Sequence, residues 1–263
     1  MELLKQESIL NGFLRLDLRA GKYKGLLLCV RGVNGTAATA DLTNLGNIKL
    51  THQNYGERVN TTFQFLSERT NLVGGEADAV SAAGGAFVFA AILSFRRKFD
   101  NQNILVVDAN VKTTLSWDGF KATAPAGIVS GTIEVYALYD NTGMQRYIPK
   151  IITAQSSVPS AMTLKESIPY PFVEELYGED DVAIGNIQIL RDGQVTHDGA
   201  WSALKSLSNA LNQVEVAIDT VEMVAPSGGS PSNVRQTTFQ LISTGALTGS
   251  VFTYHYMVCD PIQ

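Results

Sequence analysis

The chain has little of what catalytic and metal-binding sites are built from. Its 263 residues include two cysteines and three histidines, and only 17% are charged. Cys29 and Cys259 sit far apart in apolar, strand-like segments, so they read as buried thiols and not as a disulfide framework. His52, His197 and His255 form neither a His-x-His nor a His-x-x-x-His pair, which leaves a barrel-type metal site without its ligands. His255 alternates within Tyr254-His255-Tyr256 as a strand residue would, and His52 and His197 are expected in solvated turns before helices. There is no Gly-x-Ser-x-Gly elbow and no glycine-rich phosphate loop. There is also no long basic tract of the kind a dedicated nucleic-acid binder carries. The longest largely apolar run, residues 86–95, is about half of what a membrane-spanning helix requires. It stops at Arg96-Arg97-Lys98 and reads as a buried strand. The first ten residues carry Glu2, Lys5 and Glu7 around no apolar core, so no secretory leader is expected in them. No residue is therefore assigned a catalytic, cofactor-binding or metal-binding role.

Strand patterns are abundant. Residues 13–19 alternate, with Leu14, Leu16 and Leu18 on one face and Arg15, Asp17 and Arg19 on the other. Strand-like runs follow at 23–31, 103–109, 111–117, 132–139, 146–153, 182–190, 213–223, 234–242 and 250–259, separated by Gly, Asn and Asp turns. With 45% hydrophobic residues the chain is globular, and 263 residues suffice for two compact domains. Many short strands without regular intervening helices point to sandwiches or barrels, not to a parallel α/β sheet.

The chain also repeats itself. Gly46-Asn47-Ile48-Lys49-Leu50 recurs as Gly185-Asn186-Ile187-Gln188-Ile189, displaced by 139 positions. A polar turn and a short helix are expected after each copy. Asn60 is the expected N-cap before Phe63 and Leu66, and Asp198 before Trp201 and Leu204, because such side chains accept from first-turn N–H groups. Ala200, Leu204, Leu207 and Leu211 then follow the spacing of one helix face. Further on, Lys112-Thr113-Thr114-Leu115 matches Gln236-Thr237-Thr238-Phe239, and the closing segments 131–140 and 249–260 both end in Asp. The shrinking offset implies an insertion in the first half, for which the small-residue stretch 74–85 is a candidate. Each match is short; their shared order carries the inference of a duplication.

Two tandem β-barrels, each with one short helix, resemble the double jelly-roll major capsid proteins of tailless icosahedral viruses with an internal membrane: tectiviruses, corticoviruses and lipid-containing flavobacterial phages. The resemblance covers about residues 12–260 and rests on architecture, with Asn60…Phe63 and Asp198-Gly199-Ala200-Trp201 standing where that family's helices begin. It implies an all-β fold of two tandem eight-stranded jelly-roll barrels, each with a short helix. The expected division is an N-terminal arm at 1–11, a first jelly roll at 12–143, a link and first strand of the second barrel at 144–171, and a second jelly roll at 172–263. It also implies a homotrimer forming a pseudo-hexagonal tile, without enzymatic activity or cofactor. Neighbouring capsid trimers, penton and minor capsid or membrane proteins, and internal-membrane lipid near the N-terminal arm would be the partners. Specific nucleic-acid binding is not expected. The product would reside in the virion after synthesis in the host cytoplasm.

Charge is divided unevenly. Residues 1–150 hold 16 Lys/Arg and 13 Asp/Glu, a net of +3, and residues 151–263 hold 4 and 12, a net of −8. The acidic run Glu179-Asp180-Asp181, with Glu174 and Glu175 nearby, reads as a solvated loop or a contact with a basic neighbour, with a Ca²⁺ site as the alternative. Trp117, Tyr136, Tyr139, Trp201, Tyr254 and Tyr256 fall mostly in strands and read as core or interface before sugar platform. A two-jelly-roll carbohydrate-binding module, and a jelly-roll glycosidase or amidase, are the competing functions.

Overall fold

The computed structural model describes residues 1–35, 45–72, 84–96, 102–120, 128–157, 163–168, 173–178, 184–191, 193–200, 202–203, 206, 237–243 and 251–261. They fall into two compact units, Met1–Pro149 with Pro261–Gln263, and Lys150–Asp260.

The first unit contains β1 (Glu2–Ser8), a 3-10 turn at Ile9–Asn11, β2 (Phe13–Asp17), β3 (Gly21–Asn34), β4 (Leu45–His52), β5 (Gly56–Thr62), α1 (Phe63–Leu72), β6 (Ala86–Ser94), β7 (Leu105–Val107), β8 (Thr113–Phe120) and β9 (Ile128–Tyr139). One sheet has the order β1-β9-β3-β6, with β7 attached to β3, and the other runs β2-β8-β4-β5. Strands β1 to β4 thus alternate between the sheets, β4 and β5 form a hairpin, and most other partners come from far along the chain. That is the wrapping of an eight-stranded jelly roll, here with β7 as an extra short strand.

Period-two patterning fills its core. In β4, Leu45, Ile48, Leu50 and His52 are buried while Asn47, Lys49 and Thr51 face out; in β8, Leu115 and Trp117 point inward. Trp117 stacks on Phe63 at 4.9 Å and 11°, and its Nε1 donates to the Leu45 carbonyl at 2.7 Å. Gly46 adopts φ 79°, and a Cβ there would run into the Asp118 carbonyl, so glycine is required where β4 meets β8.

The helix begins two residues later than the sequence predicts. Strand β5 continues to Thr62, which stands opposite Asn47, and the Thr62 hydroxyl accepts from the Phe65 N–H at 3.1 Å. Thr62 therefore caps α1. Asn60 stays in the strand opposite Lys49 and donates to Glu57 Oε1 instead. Phe63, Phe65 and Leu66 are buried. Thr70, also buried, donates back to the Leu66 carbonyl and accepts from the Ile92 N–H at 2.8 Å, tying α1 to β6.

Residues 2–8 are not an arm. They form β1 and pair with β9 from Glu2↔Ala137 to Ser8↔Thr132, because the long β9 offers a row of ladder groups beyond β3. The first unit ends at Pro149, later than the expected 143. Two buried polar residues extend it. Arg58 donates to the carbonyls of Tyr55, Ile148 and Pro149, and Asn103 bonds Phe95 and Tyr147 carbonyls through Nδ2 and the Arg146 and Tyr147 amides through Oδ1.

The second unit contains β10 (Tyr147–Ser157, which starts in the first unit), β11 (Thr163–Ile168), β12 (Val173–Gly178), β13 (Ile184–Arg191), β14 (Gln194–Ala200), β15 (Thr237–Ser243) and β16 (Val251–Pro261). Its sheets have the orders β11-β15-β13-β14 and β12-β16-β10. These repeat β2-β8-β4-β5 and β3-β9-β1, and the registers agree as well. Leu50 faces Leu115 and Ile189 faces Phe239; Asn47 faces Thr62 and Asn186 faces Ala200. Residues 202, 203 and 206 are helical after β14, as α1 follows β5, and the Ser206 hydroxyl donates to the Ser202 carbonyl. Asp198 is not the cap: it lies in β14 opposite Gln188, whose amide it accepts at 3.1 Å. Trp201, Leu204, Leu207 and Leu211, the expected strand 213–223, the acidic run 179–181 and most of the stretch 74–85 lie outside the described residues.

Candidate functional site

The residues that a chemical site would draw on are placed structurally. His52 is buried in β4, where its Nδ1 accepts from the Asn54 N–H; burial, with Arg58 nearby, holds the imidazole below its usual range. It is therefore not the solvated turn residue the sequence suggested. His197 lies in β14 and His255 in β16, paired with Ile189 and Tyr177. Cys29 is a buried thiol in β3. Among the described residues no group of three or more His, Cys, Asp or Glu side chains converges as metal ligands would. Trp117 is wholly buried, so its ring is no exposed sugar platform, and the half-buried Tyr139 packs against Tyr23 at 5.0 Å.

The informative chemistry lies on the outer sheet surfaces. On the β1-β9-β3-β6 sheet, Glu134 is only 8% exposed although it points away from the core. Burial pushes its carboxyl up, but donors outweigh it: Tyr136 OH at 2.6 Å, Thr132 at 3.1 Å and Arg31 Nε at 3.2 Å. The group is held below the usual carboxylate value. Val33 on β3 and Val88 on β6 stand exposed in the same sheet.

The outer surface of the β2-β8-β4-β5 sheet is laid out in rows by the registers. One row reads Arg15, Ser116, Lys49, Asn60, and the next reads Asp17, Thr114, Thr51, Glu57. With Gln53 and Lys112, the residues of β2, β4 and β8 line a shallow groove carrying Arg15, Lys49 and Lys112. Its carboxylates are on the border. Glu57 holds Lys49 at 2.5 Å, which raises the lysine's pKa. Asp17 accepts from Thr114 at 2.6 Å and from Lys112 at 3.3 Å; the threonine hydrogen bond is the main reason its carboxyl sits below the usual value. Gln53 and Lys112 exchange two hydrogen bonds at 2.9 Å, joining the end of β4 to the start of β8. Phe13, on the same side of β2 as Arg15, is 61% exposed, and Leu10 just before it is 52% exposed.

The second unit has the same rows with other residues: Lys165, Gln240, Gln188, Asp198, then Ser167, Thr238, Leu190, Val195. Lys49 is thus replaced by Gln188 and Asn60 by Asp198, while the Asp17 and Glu57 positions become Ser167 and Val195. Sequence reasoning missed the groove because its cations come from three strands distant in the chain. The alternation of residues 13–19 was the one signal that placed Arg15 outward.

Two successive antiparallel jelly-roll units define the fold as a duplicated jelly roll. It is the fold of solved capsid proteins. The chain is similar to the STIV MCP with a TM-score of 0.70 and 12% identity, over 98% of this chain and 95% of that one. It is similar to the major capsid protein P2 from bacteriophage PM2 with a TM-score of 0.64 and 10% identity, over 99% and 96%. No family model and no curated protein matches the sequence.

Proposed function

We propose that the chain is the major structural subunit of a viral capsid and that it assembles as a homotrimer. The observation that carries this reading is the match of fold along nearly the full length of two capsid proteins, in chains of nearly the same extent. A capsid subunit needs outer surfaces for its neighbours more than a cleft for a substrate, and the chemistry of the first unit lies on such surfaces. In this reading three chains, each with two barrels, form a pseudo-hexagonal tile. Tiles contact neighbouring tiles, penton proteins and minor capsid or membrane proteins, in a shell over an internal membrane. The protein is made in the host cytoplasm and ends in the virion. Because residues 2–8 belong to the barrel, the N-terminal segment is not part of this proposal as a membrane-contacting arm.

Light scattering coupled to size-exclusion chromatography tests the proposal. A particle of three 28.4 kDa chains is expected. A stable monomer at concentrations of tens of micromolar would overturn it.

A further inference from the structure

We propose that the outer surface of the β2-β8-β4-β5 sheet in the first unit is the docking surface for the acidic half of a second copy of this chain. The proposal rests on the oligomeric reading above and says which surface of the chain the neighbour occupies.

Three observations support it. The surface has the composition of an interface centre: an exposed aromatic, Phe13, stands two positions from Arg15 on the same side of β2, and aromatic residues and arginine are enriched where proteins meet. Beside them, the groove is lined by Arg15, Lys49 and Lys112 together with Thr51, Gln53, Thr114 and Ser116, with no carboxylate in the lining. Asp17 and Glu57 at its border orient the two lysine side chains, so the ammonium groups are held over the sheet before a partner arrives.

The occupant follows from charge. The groove belongs to the half with a net of +3, and the remaining 113 residues carry −8, so the chain itself supplies an acidic half. Complementary fields of this kind favour the correct pairing and speed encounter. Contact of a first half with the second half of another copy is heterologous, and such contacts generate closed rings when the rotation between copies allows.

The duplication supplies the third argument. In the equivalent rows of the second unit Lys49 becomes Gln188 and Asn60 becomes Asp198, although the strand registers are the same. In the sequence, Lys112, just before β8, is matched by Gln236. Arg15 keeps its charge as Lys165, but the shared fold does not demand the two lysines, and their presence on one copy marks a role particular to the first unit.

The test uses the full chain. Equal amounts of ¹⁵N-labelled and unlabelled protein are mixed, coupled with a zero-length carbodiimide and digested, and peptides joining one label to the other are sequenced by mass spectrometry. Bonds from Lys49 or Lys112 to Asp or Glu side chains within 151–263 of another copy are expected. In parallel, Arg15→Gln/Lys49→Gln/Lys112→Gln should associate about tenfold more slowly at low salt than wild type. Its rate should also lose most of the dependence on ionic strength, while its circular dichroism and thermal midpoint stay at wild-type values. Oligomers whose intermolecular bonds all lie elsewhere would overturn the proposal, as would a triple variant that associates at the wild-type rate. Both outcomes leave the capsid reading standing. A wild-type chain that never leaves the monomeric state would overturn both.

Discussion

The hairpin β4-β5 and its counterpart β13-β14 are built on one register. Asn47 stands opposite Thr62 as Asn186 stands opposite Ala200, and both hairpins have a register shift one residue after Leu50 or Ile189. Ile48 and Leu50 of the first are buried, and the register puts Ile187 and Ile189 at the same positions of the second. The outward positions do not correspond in charge. Lys49 and Glu57 of the first hairpin occupy the places of Gln188 and Val195 in the second. The difference separates two kinds of constraint. Hydrogen-bond register and inward side chains decide whether the barrel closes, and a one-residue slip would turn every apolar side chain outward. Solvent-facing residues on the same strands contribute little to folding, which leaves them open to partner-specific change.

The large aromatics make a second contrast. In the first unit Trp117 is on the strand and Phe63 starts the helix; in the sequence the residues matched to them are Leu241, which lies in β15, and Trp201. Removing Trp117 should therefore break the first barrel most severely. Trp117→Ala leaves a cavity beside Phe63 and removes the indole donor to the Leu45 carbonyl, and such core truncations cost roughly 3–5 kcal/mol. Trp117→Leu, which installs the residue of the second barrel, should cost less, and urea unfolding of both variants measures the gap. Loss of no more than about 1 kcal/mol in the alanine variant would show the stack to be dispensable.

Gly46→Ala is next. An L-residue at φ 79° is strained by roughly 1–2 kcal/mol, to which the contact with the Asp118 carbonyl adds. The same denaturant titration reads it. Smaller still is the cap: Thr62→Ala should cost about 0.5–2 kcal/mol, whereas Asn60→Ala should stay within about 0.5 kcal/mol. The opposite order would restore Asn60 as the cap and shorten β5.

That correction shows where the sequence was legible and where it was not. The repeat of Gly46…Leu50 in Gly185…Ile189 was readable because inward apolar residues and a turn glycine are fixed by the ladder. The choice between Asn60 and Thr62 was not, since Asn60, Thr61 and Thr62 are all cap formers and cross-strand pairing with β4 decides among them. β1 was hidden because Glu2–Ser8 is a sheet edge with a mixed surface and little alternation. β5, with the sequence GERVNTT, was hidden for a similar reason, its polar residues suggesting a turn. The groove was illegible as a unit, because only the registers bring Arg15, Lys49 and Lys112 side by side.

The weakest expected effect is on pH. His52 is buried with its imidazole held below the usual 6.5, so the unfolded chain binds a proton before the folded one does. The stability it contributes is complete above that value and is lost as pH falls from about 6.5 towards the folded pKa. Thermal midpoints measured between pH 8 and pH 5 should decline, and His52→Asn should flatten the part of the decline that belongs to this group. An unchanged slope in the variant would place the acid sensitivity elsewhere.

The central claim is that two copies of one barrel plan in a single chain make a trimeric capsid tile. Electron microscopy of the purified protein tests it most directly, because class averages report both symmetry and the number of repeating lobes. The account predicts threefold particles with a pseudo-sixfold outline, two lobes from each chain. Monomers, or rings of any other symmetry, would contradict it.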